Sequence, residues 1–183
     1  MIRYLLGVIL ITTSLLACAG DPPQVGSTAP GFKLQDQNGE WHDLADYRGK
    51  WLAVYFYPKD DTPGCTTEAC SFRDNIYAFK GIGAEVVGIS VDDVDSHKEF
   101  STKYKLPFTI LADIGGQTSD AYGVLRDYKS MQIASRQSFL IDPNGIVVKH
   151  YDEVDPESHT GQVLADLQKL MAEGTQASDQ TKT

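Results

Sequence analysis

Two short, mainly apolar segments, separated by a helical pattern, constrain the fold of this chain more than any other feature. They run from Trp51 to Tyr57 and from Ala84 to Val91, and both are short and rich in aromatic or β-branched residues. Such segments are typical of strands that are buried on both faces of a sheet. Between residues 69 and 79, apolar residues recur at three- and four-residue spacing, which predicts an amphipathic helix. A right-handed crossover through that helix would make the two strands parallel neighbours.

Hairpin patterns lie on both sides of this unit. Asn38-Gly39 separates two alternating segments, and a turn at residues 142–145 separates Gln137–Ile141 from Ile146–Tyr151. Asn and Gly tolerate the positive φ that tight hairpin turns require. Further helices are predicted from Asp95 to Tyr104 and near the C-terminus. This order predicts an α/β protein with a thioredoxin-like fold, in which helices flank a central mixed sheet that carries an N-terminal β-hairpin.

The composition describes one globular domain. With 183 residues, of which 42% are hydrophobic, the chain can bury a full core without disulfides. The net charge of -9 argues against a nucleic acid partner, which would require a basic face. We expect a signal peptide at 1–17, a linker at 18–28, the folded domain at 29–173 and a polar tail at 174–183.

The first residues are typical of an export signal. Arg3 precedes an apolar run from Leu5 to Leu16, which is too short to cross a bilayer. Two cleavage patterns remain open. Small residues on both sides of Cys18 fit an ordinary signal peptidase, whereas Leu15-Leu16-Ala17-Cys18 resembles a bacterial lipobox, in which a lipid on Cys18 would anchor the protein to a membrane. Both patterns predict export to a periplasm or cell envelope, and the second is favoured because the signal would end on a cysteine.

The segment "YPKDDTPGCTTEACSF" places Cys65 where the first buried strand and its loop give way to the predicted helix. Unpaired N–H groups at a helix start carry partial positive charge and stabilise a thiolate. Thr62 precedes this start, where its hydroxyl could either cap the helix or bind a ligand.

Cys70 lies five residues after Cys65. On an intact helix such residues are about 140° apart around the axis and about 7.5 Å apart along it, which separates their Cα atoms by roughly 8–9 Å. A disulfide requires less than about 7 Å. The two thiols can therefore bond only where the helix has opened, which favours a redox switch over a permanent structural disulfide.

A thiolate beside a hydroxyl and backbone donors can attack a peroxide O–O bond and become a sulfenic acid, which then condenses with a nearby thiol. The leaving oxygen needs donors that stabilise its growing negative charge. Arg136, which comes just before the predicted strand at Gln137, is one candidate, because arginine stays charged and presents several N–H groups. From its position alone, Arg136 could equally be an ordinary surface residue.

These residues lead to a family resemblance. Pro58, Thr62 and Cys65 match the peroxiredoxin signature Pro-x-x-x-Thr-x-x-Cys. The longer stretches "YPKDDTPGCTTEACSFRD" and "SRQSFLIDPNGIV" resemble the peroxiredoxin Q branch, also called bacterioferritin comigratory protein, and the resemblance runs from about Val25 to Met171.

The resemblance implies a role for each matching residue. Cys65 would be the peroxidatic nucleophile, Thr62 would donate its hydroxyl to the peroxide, and Arg136 would stabilise the thiolate and orient the substrate. Pro58 would shield the thiolate, and Cys70 would resolve the sulfenic acid as an intramolecular disulfide. The enzyme implied reduces hydrogen peroxide and alkyl hydroperoxides without a metal or organic cofactor. A thioredoxin-like dithiol protein would recycle it, and it would act as a monomer.

Three other interpretations compete with this one. A thioredoxin-type disulfide oxidoreductase normally needs Cys-x-x-Cys, which the cysteines here do not form. A copper chaperone on the same fold would need a histidine beside the thiolates. The four candidates share no local motif with the cysteines, and we interpret them as ordinary surface or hairpin histidines: His42, His97, His150 and His159. A scaffolding domain with a structural disulfide is the third interpretation.

Overall fold

The computed structural model describes residues 20–180, with side chains described as far as residue 174. The predicted export signal and Cys18 lie outside the described residues. The strands in this part of the chain are β1 (Lys33–Asp36), β2 (Trp41–Asp43), β3 (Trp51–Phe56), β4 (Ala84–Ser90), β5 (Thr109–Ala112), β6 (Leu125–Tyr128), β7 (Met131–Ala134), β8 (Gln137–Ile141) and β9 (Val147–Tyr151). The α-helices there are α1 (Pro63–Gly81), α2 (Val94–Tyr104), α3 (Gln117–Ala121) and α4 (His159–Gln180).

Seven strands form one mixed sheet in the order β2-β1-β5-β4-β3-β8-β9, and β6 and β7 pair separately. β3 and β4 are parallel, with Trp51 opposite Ala84 and Phe56 opposite Ile89, which confirms the predicted crossover. β8 runs antiparallel to β3 and places Gln137 opposite Phe56. The predicted α/β architecture and both hairpins are therefore confirmed.

The central strand β3 supplies side chains to the cores on both faces of the sheet. Tyr55 belongs to the core that α1 and α4 cover, where it contacts Phe72 of α1 with ring centroids 4.7 Å apart. Phe56, the next residue, points to the opposite core and packs 5.0 Å from the ring of Tyr122. Because successive side chains of a strand alternate between faces, a strand between two cores must be apolar throughout, as β3 is.

Helix α1 buries one stripe of side chains against the sheet. Its buried residues are Cys65, Glu68, Ala69, Phe72, Ile76 and Phe79, which follow the three- and four-residue spacing of a helix face. Pro63 occupies the first helical position, where the missing N–H of proline leaves no hydrogen bond unmade. The chain leaves the helix through Gly83, whose φ of 76° suits glycine.

Three details differ from the sequence-based expectation. Helix α2 is capped by Asp93, whose carboxylate accepts the backbone N–H of Ser96, and it begins at Val94 rather than Asp95. α4 continues to Gln180, past the boundary expected at residue 173. The second half of the expected linker joins the fold, because Gly26 donates its N–H to the carbonyl of Val147. No helix within residues 20–180 has an apolar stretch long enough to cross a bilayer.

Candidate active site

Cys65 is the third residue of α1, where the first helical N–H groups lack carbonyl partners. Only 1% of the residue is exposed. β3 ends at Phe56, and a turn of six residues returns the chain to this helix start. The location at the helix N-terminus is the one that the sequence predicted, and the partial positive charge there favours a thiolate.

Arg136 reaches this thiol from the start of the neighbouring strand β8. Its Nη2 donates to Cys65 Sγ over 3.1 Å, although the two residues are 71 positions apart in the chain. The contact follows from the topology, because β8 pairs with β3 and so brings the start of β8 beside the end of β3. The interpretation of Arg136 as an ordinary surface residue is wrong, since it contacts Cys65 and a buried carboxylate.

That carboxylate belongs to Glu68, which is fully buried and forms an ion pair with Arg136 Nη1. Burial raises the pKa of Glu68 to about 7, because the loss of solvation outweighs the attraction of Arg136. Burial by itself would lower the pKa of Arg136, but the negative charges of Glu68 and Cys65 raise that pKa above its usual value. The guanidinium therefore remains a cation inside the site.

Glu68 was not among the predicted site residues, although the sequence carried a signal for it. It lies on the same face of α1 as Cys65 and Phe72, in a stripe that is otherwise apolar. A carboxylate on a buried helix face requires a partner of opposite charge. This requirement predicts a cationic partner, such as an arginine, from another element. It does not indicate which residue that partner is.

Thr62 and Pro58 belong to the turn that precedes α1. Thr62 occupies the N-cap position, yet its side chain makes no capping hydrogen bond. Its hydroxyl instead donates to the carbonyl of Lys59 over 3.0 Å, which leaves the lone pairs of that oxygen free to accept. Pro58 is half-buried, two residues beyond the end of β3. The capping alternative for Thr62 is therefore wrong, and its role toward a peroxide stays a prediction.

Cys70 lies in the same uninterrupted helix as Cys65, and both thiols are free. Cys70 is half-buried, whereas Cys65 is buried. Arg73 lies beside Cys70, and its pKa is raised mainly by Asp74 and further by Cys70. With α1 continuous through both cysteines, the geometry of an intact helix holds their Cα atoms too far apart to bond.

Two histidines differ from the prediction that they lie on the surface. His97 is fully buried and contacts Asp60. His159 is 1% exposed and its Nε2 lies 2.8 Å from Ser138 Oγ, while burial and the nearby charge of Arg136 lower its pKa to about 4. Both are buried because they lie on the inner faces of α2 and α4.

Neither cysteine belongs to a candidate metal site within the described residues. The one group of three His, Cys, Asp or Glu side chains there that could share an ion is Asp36, Glu40 and His42, at the N-terminal hairpin. A copper site built on the cysteines therefore has no histidine ligand in the described part of the chain.

Comparison with known proteins places this chain in a family. The profile of the AhpC/TSA family matches residues 25–150. Peroxiredoxin Q of Oryza sativa subsp. japonica, a chloroplastic protein, is 49% identical over 146 residues, which cover 79% of this chain and 67% of that protein. The chloroplastic peroxiredoxin Q of Sedum lineare is 47% identical over 146 residues, covering 79% of this chain and 78% of the relative.

Solved structures give the same result. A peroxiredoxin Q from Xylella fastidiosa superposes with a TM-score of 0.78 at 30% identity, covering 83% of this chain and 99% of that one. Peroxiredoxin Q of Xanthomonas campestris gives a TM-score of 0.72 at 34% identity, covering 75% and 90%. The predicted thioredoxin-like fold is thereby confirmed.

These relatives make the protein, with its thioredoxin-like sheet, a thiol peroxidase of the peroxiredoxin class. The chain belongs to the AhpC/TSA family. Within that family its similarity is to the Q-type peroxiredoxins, which are atypical two-cysteine enzymes. This confirms the resemblance found in the sequence.

The comparisons contradict one prediction. The relatives from Oryza sativa and Sedum lineare are chloroplastic plant proteins, not exported proteins of a periplasm or cell envelope. The prediction of export was wrong: it rested on the apolar N-terminal segment, which lies outside both the matched residues and the described ones. The lipid anchor at Cys18 has no support from these findings, and the monomeric state stays a prediction.

Proposed function

We propose that this thiol peroxidase reduces hydrogen peroxide and alkyl hydroperoxides at Cys65 and resolves the product through Cys70. The observation that carries the proposal is the 3.1 Å contact between Arg136 Nη2 and Cys65 Sγ at the N-terminus of α1. The guanidinium and the helix N–H groups both favour the thiolate, which is the reactive form of the thiol.

In the first step the Cys65 thiolate attacks one peroxide oxygen. An S–O bond forms, the O–O bond breaks, and the sulfur is oxidised by two electrons to a sulfenic acid. The other oxygen leaves with the electron pair of the O–O bond and takes up a proton, so that hydrogen peroxide gives water and an alkyl hydroperoxide gives an alcohol. Arg136 Nη2 lies 3.1 Å from the reacting sulfur and is a donor that stabilises the charge on the leaving oxygen. The Thr62 hydroxyl would donate there as well once it turns away from the Lys59 carbonyl, to which it is bonded.

In the second step the Cys70 thiol attacks the Cys65 sulfenic acid. An S–S bond forms and the hydroxyl of the sulfenic acid leaves as water. Because α1 holds the cysteines five residues apart, its first turns must unwind before this step. A thioredoxin-like dithiol protein then reduces the disulfide by thiol–disulfide exchange, which returns both thiols.

The test is to reduce the protein, add one equivalent of hydrogen peroxide, and map the products by rapid-quench mass spectrometry. We expect loss of two hydrogens and a Cys65–Cys70 link. Cys70→Ser should instead accumulate sulfenic or sulfinic Cys65, and it should lose turnover with a thioredoxin-type reductant. Full turnover by Cys70→Ser with that reductant would refute the resolving role, and absence of any Cys65 oxidation would refute the peroxidatic one.

A further inference from the structure

The turn that precedes Cys65 is fastened to the start of α2 by a buried carboxylate. Asp60 is 7% exposed and accepts three hydrogen bonds of 2.8 Å, from Tyr57 Oη, Ser96 Oγ and the His97 ring nitrogen Nδ1. Its backbone N–H donates to Asp92 over 2.9 Å. A buried carboxylate with this many donors is costly to release, so this attachment is a fixed point of the turn.

The next residue is attached to the other end of α2, and there the attachment is exposed. The Asp61 carboxylate accepts from Lys103 Nζ over 2.6 and 2.7 Å and from Tyr104 Oη over 2.6 Å. Its side chain is 49% exposed. Asp61 also has a φ of 58°, in the left-handed region that residues other than glycine seldom adopt. These contacts hold a backbone conformation that is itself unfavourable.

The same end of α2 contacts α1 again, beyond Cys70. Arg73 Nη1 donates to the backbone carbonyl of Tyr104 over 2.9 Å. Tyr104 thus contacts the chain on both sides of the reactive segment, through its hydroxyl before Cys65 and through its carbonyl after Cys70. The stretch of α1 that must open for a disulfide lies between these two attachments.

We propose that Asp61, Lys103 and Tyr104 form a latch that sets how readily the first turns of α1 unwind, and so sets how fast Cys70 reaches the Cys65 sulfenic acid. The latch rests on the proposed resolving role of Cys70. Unwinding relieves the left-handed backbone at Asp61 and breaks its bonds to α2, while the buried attachment at Asp60 stays in place. The latch residues act on the position of the cysteines and do not touch the peroxide.

The rate of unwinding decides between two fates of the sulfenic acid. With the segment open, Cys70 condenses with it and releases water. With the segment closed, a second hydroperoxide can oxidise it by two further electrons to a sulfinic acid, with release of water or alcohol. A tighter latch therefore favours overoxidation, and a looser one favours the disulfide.

Lys103→Met tests the latch, because it removes the charged partner of Asp61 from an exposed site on α2. The matched control is Lys98→Met on the same helix, whose Nζ instead donates to Asn38 over 3.0 Å. After one equivalent of hydrogen peroxide, we expect Lys103→Met to form the Cys65–Cys70 disulfide about two- to fivefold faster than wild type, the range expected for loss of an exposed ion pair. Its sulfinic acid yield at excess peroxide should fall, and its rate of sulfenic acid formation should match wild type.

Ionic strength gives a second readout that a purely structural role would not produce. Salt screens an exposed ion pair, so disulfide formation should accelerate with salt in wild type and in Lys98→Met but not in Lys103→Met. Equal disulfide rates in both lysine variants and wild type would overturn the latch while leaving the proposed function intact. Absence of any Cys65–Cys70 disulfide in wild type would overturn the resolving role, and the latch with it.

Discussion

Arg136 Nη2 lies 3.1 Å from Cys65 Sγ, and Nη1 of the same guanidinium contacts the buried carboxylate of Glu68. Cys65 and Glu68 are three residues apart on one face of α1, so a single planar cation is shared by two groups that both carry negative charge when ionised. The fork of the guanidinium fixes its orientation better than a lysine could. The side chain that contacts the thiol is thus itself held by a second acid, Glu68.

Removal of this guanidinium should weaken the thiolate and slow the peroxide step together. For Arg136→Ala we expect slower alkylation of Cys65 at pH 7 and a fall in peroxide reduction on the order of a hundredfold, as for loss of a donor to a developing negative charge. The rate of alkylation with iodoacetamide and stopped-flow peroxide kinetics measure the two effects. Arg126→Ala is the control, because Arg126 is exposed and donates only to the carbonyl of its neighbour Leu125 among the described contacts. An unchanged rate of Cys65 alkylation in Arg136→Ala would contradict the electrostatic role.

Gly64 should be intolerant of a side chain, because Arg136 occupies the space beside it. A Cβ at Gly64 would lie 3.2 Å from Arg136 Nη2 and 3.5 Å from Pro156. Gly64→Ala should push the guanidinium a few tenths of an ångström away from Cys65 and reduce peroxide turnover, by less than the roughly hundredfold cost of a displacement of about 1 Å at a reacting group. Gly81→Ala at the other end of α1 is the control, since its Cβ would meet nothing within 4 Å. Equal peroxide kinetics in the two variants would show that the close approach at Gly64 is unimportant.

Glu68 should make the stability of the protein fall as the pH rises. Its pKa is raised to about 7 in the folded protein from an ordinary value of 4.5, so between these values the folded state binds more protons than the unfolded state. The free energy of unfolding should therefore decrease across that window in wild type relative to Glu68→Gln, which cannot titrate. Urea unfolding from pH 4.5 to 7.5 measures this difference, with Glu99→Gln on the exposed face of α2 as control. A constant difference between wild type and Glu68→Gln across the window would contradict the prediction.

His159 should make the stability of the protein rise as the pH rises, which is the opposite of the effect of Glu68. Burial lowers its pKa from 6.5 to about 4, so the unfolded state binds more protons between these values. The stability contributed by the neutral ring is fully present above about pH 6.5 and is lost as the pH falls toward 4. His159→Gln can still bond to Ser138 but does not titrate, so its stability should fall less than that of wild type over this range. Parallel stability curves for the two proteins would show that His159 is not held neutral by the fold.

The parts of the fold that were predicted from sequence are those whose apolar pattern is long and regular, together with the two hairpins, which Asn-Gly turns indicate. β3, α1 and β4 have such patterns, because each buries a continuous surface. β5 and the five-residue α3 were missed, since elements of four or five residues contain too few positions to show a period and no Asn-Gly hairpin turn adjoins these two. β6 and β7 were missed for another reason: their side chains are mostly exposed and show no buried face.

The residues of the candidate site also fall into those that a local sequence pattern predicts and those that it does not. Cys65, Thr62 and Pro58 lie in one short segment whose family signature and place before a helix can be read directly. Asp60 and His97 make a 2.8 Å contact over 37 residues, and nothing local in the sequence pairs a particular aspartate with a particular histidine. Such pairs are determined by the packing of α2 on the turn, which requires the whole fold.

The distance in sequence between Arg136 and Cys65 also affects the nascent chain. During synthesis the segment that contains Cys65 emerges well before Arg136, which comes 71 residues later. Until β8 pairs with β3, the thiol has no guanidinium beside it. A half-made chain therefore carries the cysteine without its contact to Arg136, which forms only when β8 joins the sheet.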